Sequence, residues 1–236
     1  MNKGSLYRVE FYRFFHSFSI IKYSVFVSLL LLFISYTDMK YTGNEITEEL
    51  AWASLTPVFP YLLALVCAII AVNVGREFRQ KTINYEIMRG YGFCKIAFSK
   101  TLTCAIILPA LILICMMVYL GIFCGLPFCE LYVRGCGMFF LLFHLCSASV
   151  LYVLLCRTPV IGGSLAFFRF FVLEAVLPTG TQPQLMKLNV FNQWYQLADA
   201  KTPLTMEWLA GILGIAVVEY GILQMVLSGS AKWMDM

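Results

Sequence analysis

The sequence predicts an all-α integral membrane protein of six transmembrane helices, with an N-terminal amphipathic interfacial helix and a short cytoplasmic helix between spans 2 and 3. Three observations predict it. The 236-residue chain is 61% hydrophobic and only 13% charged, with a mean hydropathy of +0.81, far outside the range of water-soluble domains. Six apolar runs reach the roughly 17 to 25 residues that cross a ~30 Å hydrocarbon core: Ile20–Tyr36, Ser54–Val74, Thr101–Gly125, Gly135–Cys156, Val160–Leu177 and Trp208–Leu227. The basic residues are also asymmetric about those runs. With the amino terminus inside, Lys3, Arg8, Arg13, Lys22, Arg76, Arg79, Lys81, Arg89, Lys95, Lys100, Arg157 and Lys232 fall on the cytoplasmic side. Lys40, Arg134, Lys187 and Lys201 fall outside, and Arg169 lies within a span. That is the positive-inside pattern, and it places both termini in the cytoplasm of a multi-pass cell-membrane protein.

The same asymmetry accounts for the net charge of +4 without a nucleic-acid partner. The spans consume most of the chain. A single domain, 1–236, is expected, and any catalytic machinery outside the membrane must come from another polypeptide.

Taken in order, Tyr7, Phe11, Phe14, Phe15 and Phe18 recur at helical spacing, with Glu10, Arg13, His16 and Ser17 on the other side. This is the pattern of a helix lying on the membrane surface, turning into span 1 at a snorkelling Lys22. Asp38, Glu45, Glu48 and Glu49 mark a short acidic external loop. Pro57 and Pro60 stand near the start of span 2, and Pro109 within span 3, which ends in Gly121-x-x-x-Gly125, a spacing that permits close helix approach. Arg157-Thr158-Pro159 alone joins spans 4 and 5 in a tight hairpin. The long link from Pro178 to Glu207 carries an amphipathic Val190–Leu197 piece with Trp194 and Tyr195, aromatics that favour the membrane interface.

The densest charged stretch is Gly75–Lys100, which holds six of the seventeen Lys/Arg residues. Thr82 can cap a helix there and Gly90 can end it. Between them Ile83 and Ile87, at i and i+4, form one apolar edge, while Asn84 and Glu86 point elsewhere. A helix of two turns is not stable alone and needs a docking partner.

At Glu77, Phe78, Thr82, Arg89, Gly90, Lys95 and Lys100 the loop resembles that of type-2 ABC exporter permeases, although Lys81 stands where that family usually has Gly. The resemblance implies a coupling helix that touches a cytoplasmic ABC ATPase subunit through Glu77, Phe78, Thr82, Ile83, Ile87, Arg89, Gly90 and Lys95. It implies a second permease copy or a paralogous permease as partner, surrounding membrane lipid, and ATP and Mg in the partner ATPase rather than in this chain. The expected role is export of a peptide, lipid-like or amphiphilic drug substrate, as in lantibiotic or bacteriocin immunity and drug-export permeases. It also implies an amphipathic elbow helix before span 1 and short re-entrant helices in the link between spans 5 and 6.

The rival classes are a non-transporting membrane scaffold, an ion-coupled secondary transporter and an intramembrane enzyme. The secondary transporter usually needs an internal repeat, and none is visible. The chain has no Gly-x4-Gly-Lys-Ser/Thr phosphate cradle. Glu48-Glu49 is followed by Ala53 where a CAAX-type protease pattern requires Arg. No catalytic residue is assigned. The nine cysteines contain no Cys-x-x-Cys pair, and with two histidines no metal site is expected. Cys124, Cys129 and Cys136 cluster near the outer face, where a disulfide is conceivable.

Ionisable residues inside spans are costly and need a reason. At 1.5 Å per residue, His144, Arg169 and Glu219 each fall roughly 13 to 17 Å deep, while Glu174 lies closer to an end. Spans 5 and 6 are antiparallel, so Arg169 and Glu219 are expected to pair, either as a structural ion pair or as the polar lining of a transport path between two copies.

Overall fold

The computed structural model describes residues 5–16, 18–41, 47–126, 128–173, 189–201 and 206–232. Within them every regular element is a helix: α1 Ser5–His16, α2 Phe18–Tyr41, α3 Glu48–Ala53, α4 Phe59–Arg79, α5 Thr82–Met88, α6 Phe93–Val118, α7 Phe128–Cys156, α8 Pro159–Phe167, α9 Val190–Ala198 and α10 Met206–Lys232. Helices α6 and α8 each run on into a π-helical stretch, Tyr119–Phe123 and Phe168–Leu173.

Four segments are long and apolar enough to cross a membrane: Ser24–Tyr41, Phe59–Arg79, Phe93–Phe123 and Leu131–Cys156. Pro159–Val172 and Ala210–Val226 are shorter apolar stretches, and 174–188 lies outside the described residues. Helix α7 is the hub. It is the most buried of the four and packs against α4, α6, α8, α9 and α10. Its core side chains, among them Leu141, Leu142, Leu145, Leu151 and Leu154, are wholly enclosed.

Close approach at the α7–α8 hairpin depends on glycine. A Cβ at Gly162 would sit 2.4 Å from the Cα of Val153, and one at Gly75 on α4 would sit 2.2 Å from the Cβ of Pro159. The expected Gly121-x-x-x-Gly125 contact is not made. A Cβ on Gly121 would meet only the side chain of Leu131 at 3.6 Å, and Gly125 faces open space at φ +71°. The π-turn there disrupts the helical spacing on which the motif depends.

Several boundaries differ from the sequence reading. The acidic segment is not simply a loop: Asp38 still lies in α2, and Glu48 and Glu49 open α3, where the Thr47 hydroxyl accepts from the Leu50 amide at 3.3 Å. Two carboxylates in a first turn suit the helix dipole. Glu45 lies outside the described residues. Span 2 starts at Phe59 rather than Ser54, because residues 54–58 form a turn and Pro60 takes a first-turn position. Helix α6 starts eight residues before the expected Thr101, and α7 seven before Gly135. In both, polar residues are carried inside an otherwise apolar helix.

Trp194 faces the protein interior rather than lipid or solvent. It is fully buried, stacks on Phe59 with ring centroids 4.6 Å apart, and donates its indole N–H to the Leu55 carbonyl at 3.0 Å. Arg134, expected just before span 4, lies within α7. It is buried in α7 and donates to the carbonyls of Leu197, Asp199 and Ala200 at 3.0, 2.8 and 2.7 Å. Those carbonyls close the C-terminal end of α9, which a guanidinium satisfies well. Cys124 and Cys136 are free thiols, and the side chain of Cys129 lies outside the described residues.

Candidate functional site

The two turns of α5 leave the end of α4 through Lys81, whose φ of 55° is left-handed, so Thr82 is the first helical residue rather than the cap. Gly90 ends the helix as its composition suggests. At φ +85° it lets its own N–H reach the Ile87 carbonyl at 2.8 Å and the Tyr91 N–H reach the Glu86 carbonyl at 3.2 Å, the paired bonds of a Schellman motif.

The faces of α5 are not those the isoleucine spacing predicts. Ile83 is buried among this chain's own core residues, and the second buried position is Glu86, not Ile87. Tyr85, Ile87 and Met88 are exposed, at 62%, 38% and 79%, with Arg89 beside them. Glu86 turns inward because it meets two cations there, which offsets the loss of its hydration.

Those cations define a buried junction. Lys100 on α6, 2% exposed, is 2.8 Å from Glu10 and 3.7 Å from Glu86, and also pairs with Glu77. Arg13 lies 3.2 Å from Glu10 and pairs with Glu86. Four elements, α1, α4, α5 and α6, thus meet through three carboxylates and two cations. On α1 the buried face carries Leu6, Glu10 and Phe14, while Val9, Phe11, Tyr12 and Phe15 are exposed. Glu10 therefore sits on the inner side, opposite to its expected place.

Burial is the largest influence on Glu10 and pushes its pKa from 4.5 to about 7, against the attraction of Lys100 and with the repulsion of Glu77 and Glu86. Burial alone would lower Arg13. The bond to Glu86 and the fields of Glu86, Glu10 and Glu77 outweigh it and raise its pKa.

The second polar site lies between the apolar helices. Glu219 on α10 is 3.7 Å from Arg169, 3.2 Å from the Nε2 of His144, and accepts from the Tyr152 hydroxyl at 3.5 Å. The three ionisable residues expected at similar depth are thus brought together, with Tyr152 as a fourth member. Neither ring nitrogen of His144 has an aligned hydrogen bond. Arg169 and Glu219 also line a groove of about 540 Å³ with Tyr152, Gly211, Gly214 and Val218. Glu174 is outside the described residues.

Of the remaining loop residues expected to meet a partner, Glu77 is taken up by Lys100, Phe78 packs against the core, and Lys95 lies over the Tyr91 ring at 5.2 Å. Glu10, Arg13, Glu86 and Lys100 were not legible as one site from their own segments. One signal was present: Glu10, Glu77 and Glu86 are acidic residues on the side expected to be basic, and all three converge on one lysine. Among the described residues no cluster of His, Cys, Asp and Glu suits a metal ion. The chain matches no family model, no curated protein and no solved structure.

Proposed function

We propose that this chain is the membrane-spanning permease subunit of an ATP-driven exporter, crossing the membrane six times with both termini in the cytoplasm. Two copies, or this chain with a paralogous permease, work with a separate ABC ATPase that binds ATP and Mg. The substrate is a peptide or an amphiphile. The observation that carries the reading is α5. It presents Tyr85, Ile87, Met88 and Arg89 outward, while Ile83 and Glu86 hold its other face to the ends of the apolar helices. A two-turn helix with an apolar exposed face and a salt-bridged inner face transmits a push as a unit, which suits rigid-body switching. The likeness of the Glu77–Lys100 loop to type-2 ABC permeases supports the same reading, as does the mainly apolar groove that carries Arg169, Glu219 and Tyr152.

The test is efflux from vesicles holding the chain and the ATPase that co-purifies with it. ATP-dependent release of a fluorescent amphiphile is expected, and it is lost when Met88→Asp places a charge in the contact. Stable assembly without any ATP-dependent release replaces the exporter with a scaffold.

A further inference from the structure

We propose that Glu10 is a proton-binding site that fixes helix α1 to the α5 junction when it is occupied and loosens it when it is empty. The inference stands on the junction's geometry and holds whether or not the chain exports anything.

The charge balance is the starting point. Among the described residues, the groups facing Glu10 are Glu77 and Asn73 from α4, Glu86 from α5, Lys100 from α6 with Thr103 and Cys104 beside it, and Arg13 from α1 itself. Lys22, where α2 leaves α1, is exposed. Three carboxylates against two cations leave one uncompensated negative charge in a buried setting, which is costly. One proton restores balance. Glu10 shares both cations, but each lies closer to another carboxylate, Lys100 to Glu77 and Arg13 to Glu86, so Glu10 is the carboxylate that gives up its charge at least cost.

Room for a proton carrier is present beside Glu10. A cavity of about 20 Å³, room for one water molecule, is lined by Glu10, Arg13, Asn73, Glu77, Lys100 and Thr103. The attachment of α1 is also light enough to respond. Among its described side chains only Leu6, Glu10 and Phe14 are buried, so the ionic contacts are a large share of what holds it.

The sign follows from linkage. Free of the junction, Glu10 titrates near its ordinary 4.5, and docked it titrates at about 7. The docked state therefore holds the proton more tightly. Its contribution to docking is complete below the lower value and is lost as pH rises through the higher one. Acid tightens α1 on α5, and alkali frees it to lie on the lipid through Val9, Phe11, Tyr12 and Phe15.

Hydrogen exchange of the full chain in phosphatidylcholine vesicles, corrected for intrinsic rates, tests this from about pH 5 to about pH 9. Protection of residues 5–16 is expected to fall through about pH 7, while α4 and α6 stay protected as the internal measure of folding. Glu10→Gln keeps 5–16 protected across the range. Glu77→Gln removes a repelling neighbour and moves the midpoint to lower pH. A flat wild-type curve, a transition that survives in Glu10→Gln, or a midpoint unmoved in Glu77→Gln overturns the proposal. Where Glu10→Gln does not fold, the Glu77→Gln shift decides alone.

Discussion

At the scale of single residues, burial of charge decides which positions matter. Lys100 is the one cation touching all three carboxylates of the junction, so Lys100→Met leaves them with Arg13 alone. Removing one partner of a buried ion pair costs about 3 to 5 kcal/mol, and a marginal membrane protein would show that as a large drop in its thermal midpoint in detergent. Adding Glu77→Gln and Glu86→Gln to Lys100→Met is expected to recover most of it. The same reasoning governs Arg169 and Glu219. An isolated charge at mid-span costs at least ~2.5 to 3.5 kcal/mol on insertion scales. Either single alanine variant should lower folded yield, and the double variant should recover it. Additive losses on size-exclusion profiles would show that the 3.7 Å contact does not support the fold. Pairing at this site was readable from the expected depth alone, because two opposite charges in successive apolar helices have few other solutions. Tyr152 was not, since a tyrosine inside an apolar helix carries no signal of its own. Arg134 was hidden for a different reason: its partners are backbone carbonyls of α9, and backbone acceptors leave no trace in side-chain patterns.

At the scale of elements, α5 shows why a periodicity can be right while its faces are wrong. The spacing of Ile83 and Ile87 predicts a shared edge, and both residues do lie in one short helix. A tertiary contact decides the rotation. Glu86 is drawn to Lys100 and Arg13, which buries the Ile83–Glu86 side and turns Ile87 and Met88 outward. The two aspartate variants should therefore part company. Ile83→Asp puts an unpaired charge into the chain's own core and is expected to unfold the loop, seen as proteolysis between α4 and α6. Met88→Asp, at 79% exposure, should leave folding unchanged and act only on partner binding. Gly90→Ala is expected to cost about 1 kcal/mol, because alanine is strained at the left-handed φ that closes the Schellman motif. Helix α1 repeats the lesson. Its aromatic stripe was legible, yet Leu6, Glu10 and Phe14 form the buried face because only that rotation joins Glu10 to Lys100.

At the scale of the whole molecule, the hydropathy of the runs was enough to predict a helical chain, and the four membrane-length segments fall on the first four predicted runs. Their ends were less legible, because α6 and α7 extend past their apolar cores into charged residues that meet partners from elsewhere in the chain. The two ends of the bundle are built differently. Helices α3 and α9 close one end around Trp52, Trp194 and Arg134, whereas α1 and α5 meet at the charged junction on the other. The 21 residues of α4 separate them by about 30 Å. Maleimide labelling of single cysteines at the exposed positions 85 and 195, with the native cysteines replaced, should find 195 reactive in intact cells and 85 only after permeabilisation. Labelling of both from outside would invert or break the topology drawn from the basic residues.

The reading of α5 as the contact for an ATPase is tested most directly by a photo-crosslinking amino acid placed at position 88, with position 161 on the exposed side of α8 as the control. Irradiation of native membranes is expected to join position 88 to a nucleotide-binding subunit, at a yield that changes with ATP, and to give no protein adduct at 161. No protein adduct at 88, or the same adducts at both positions, would contradict it.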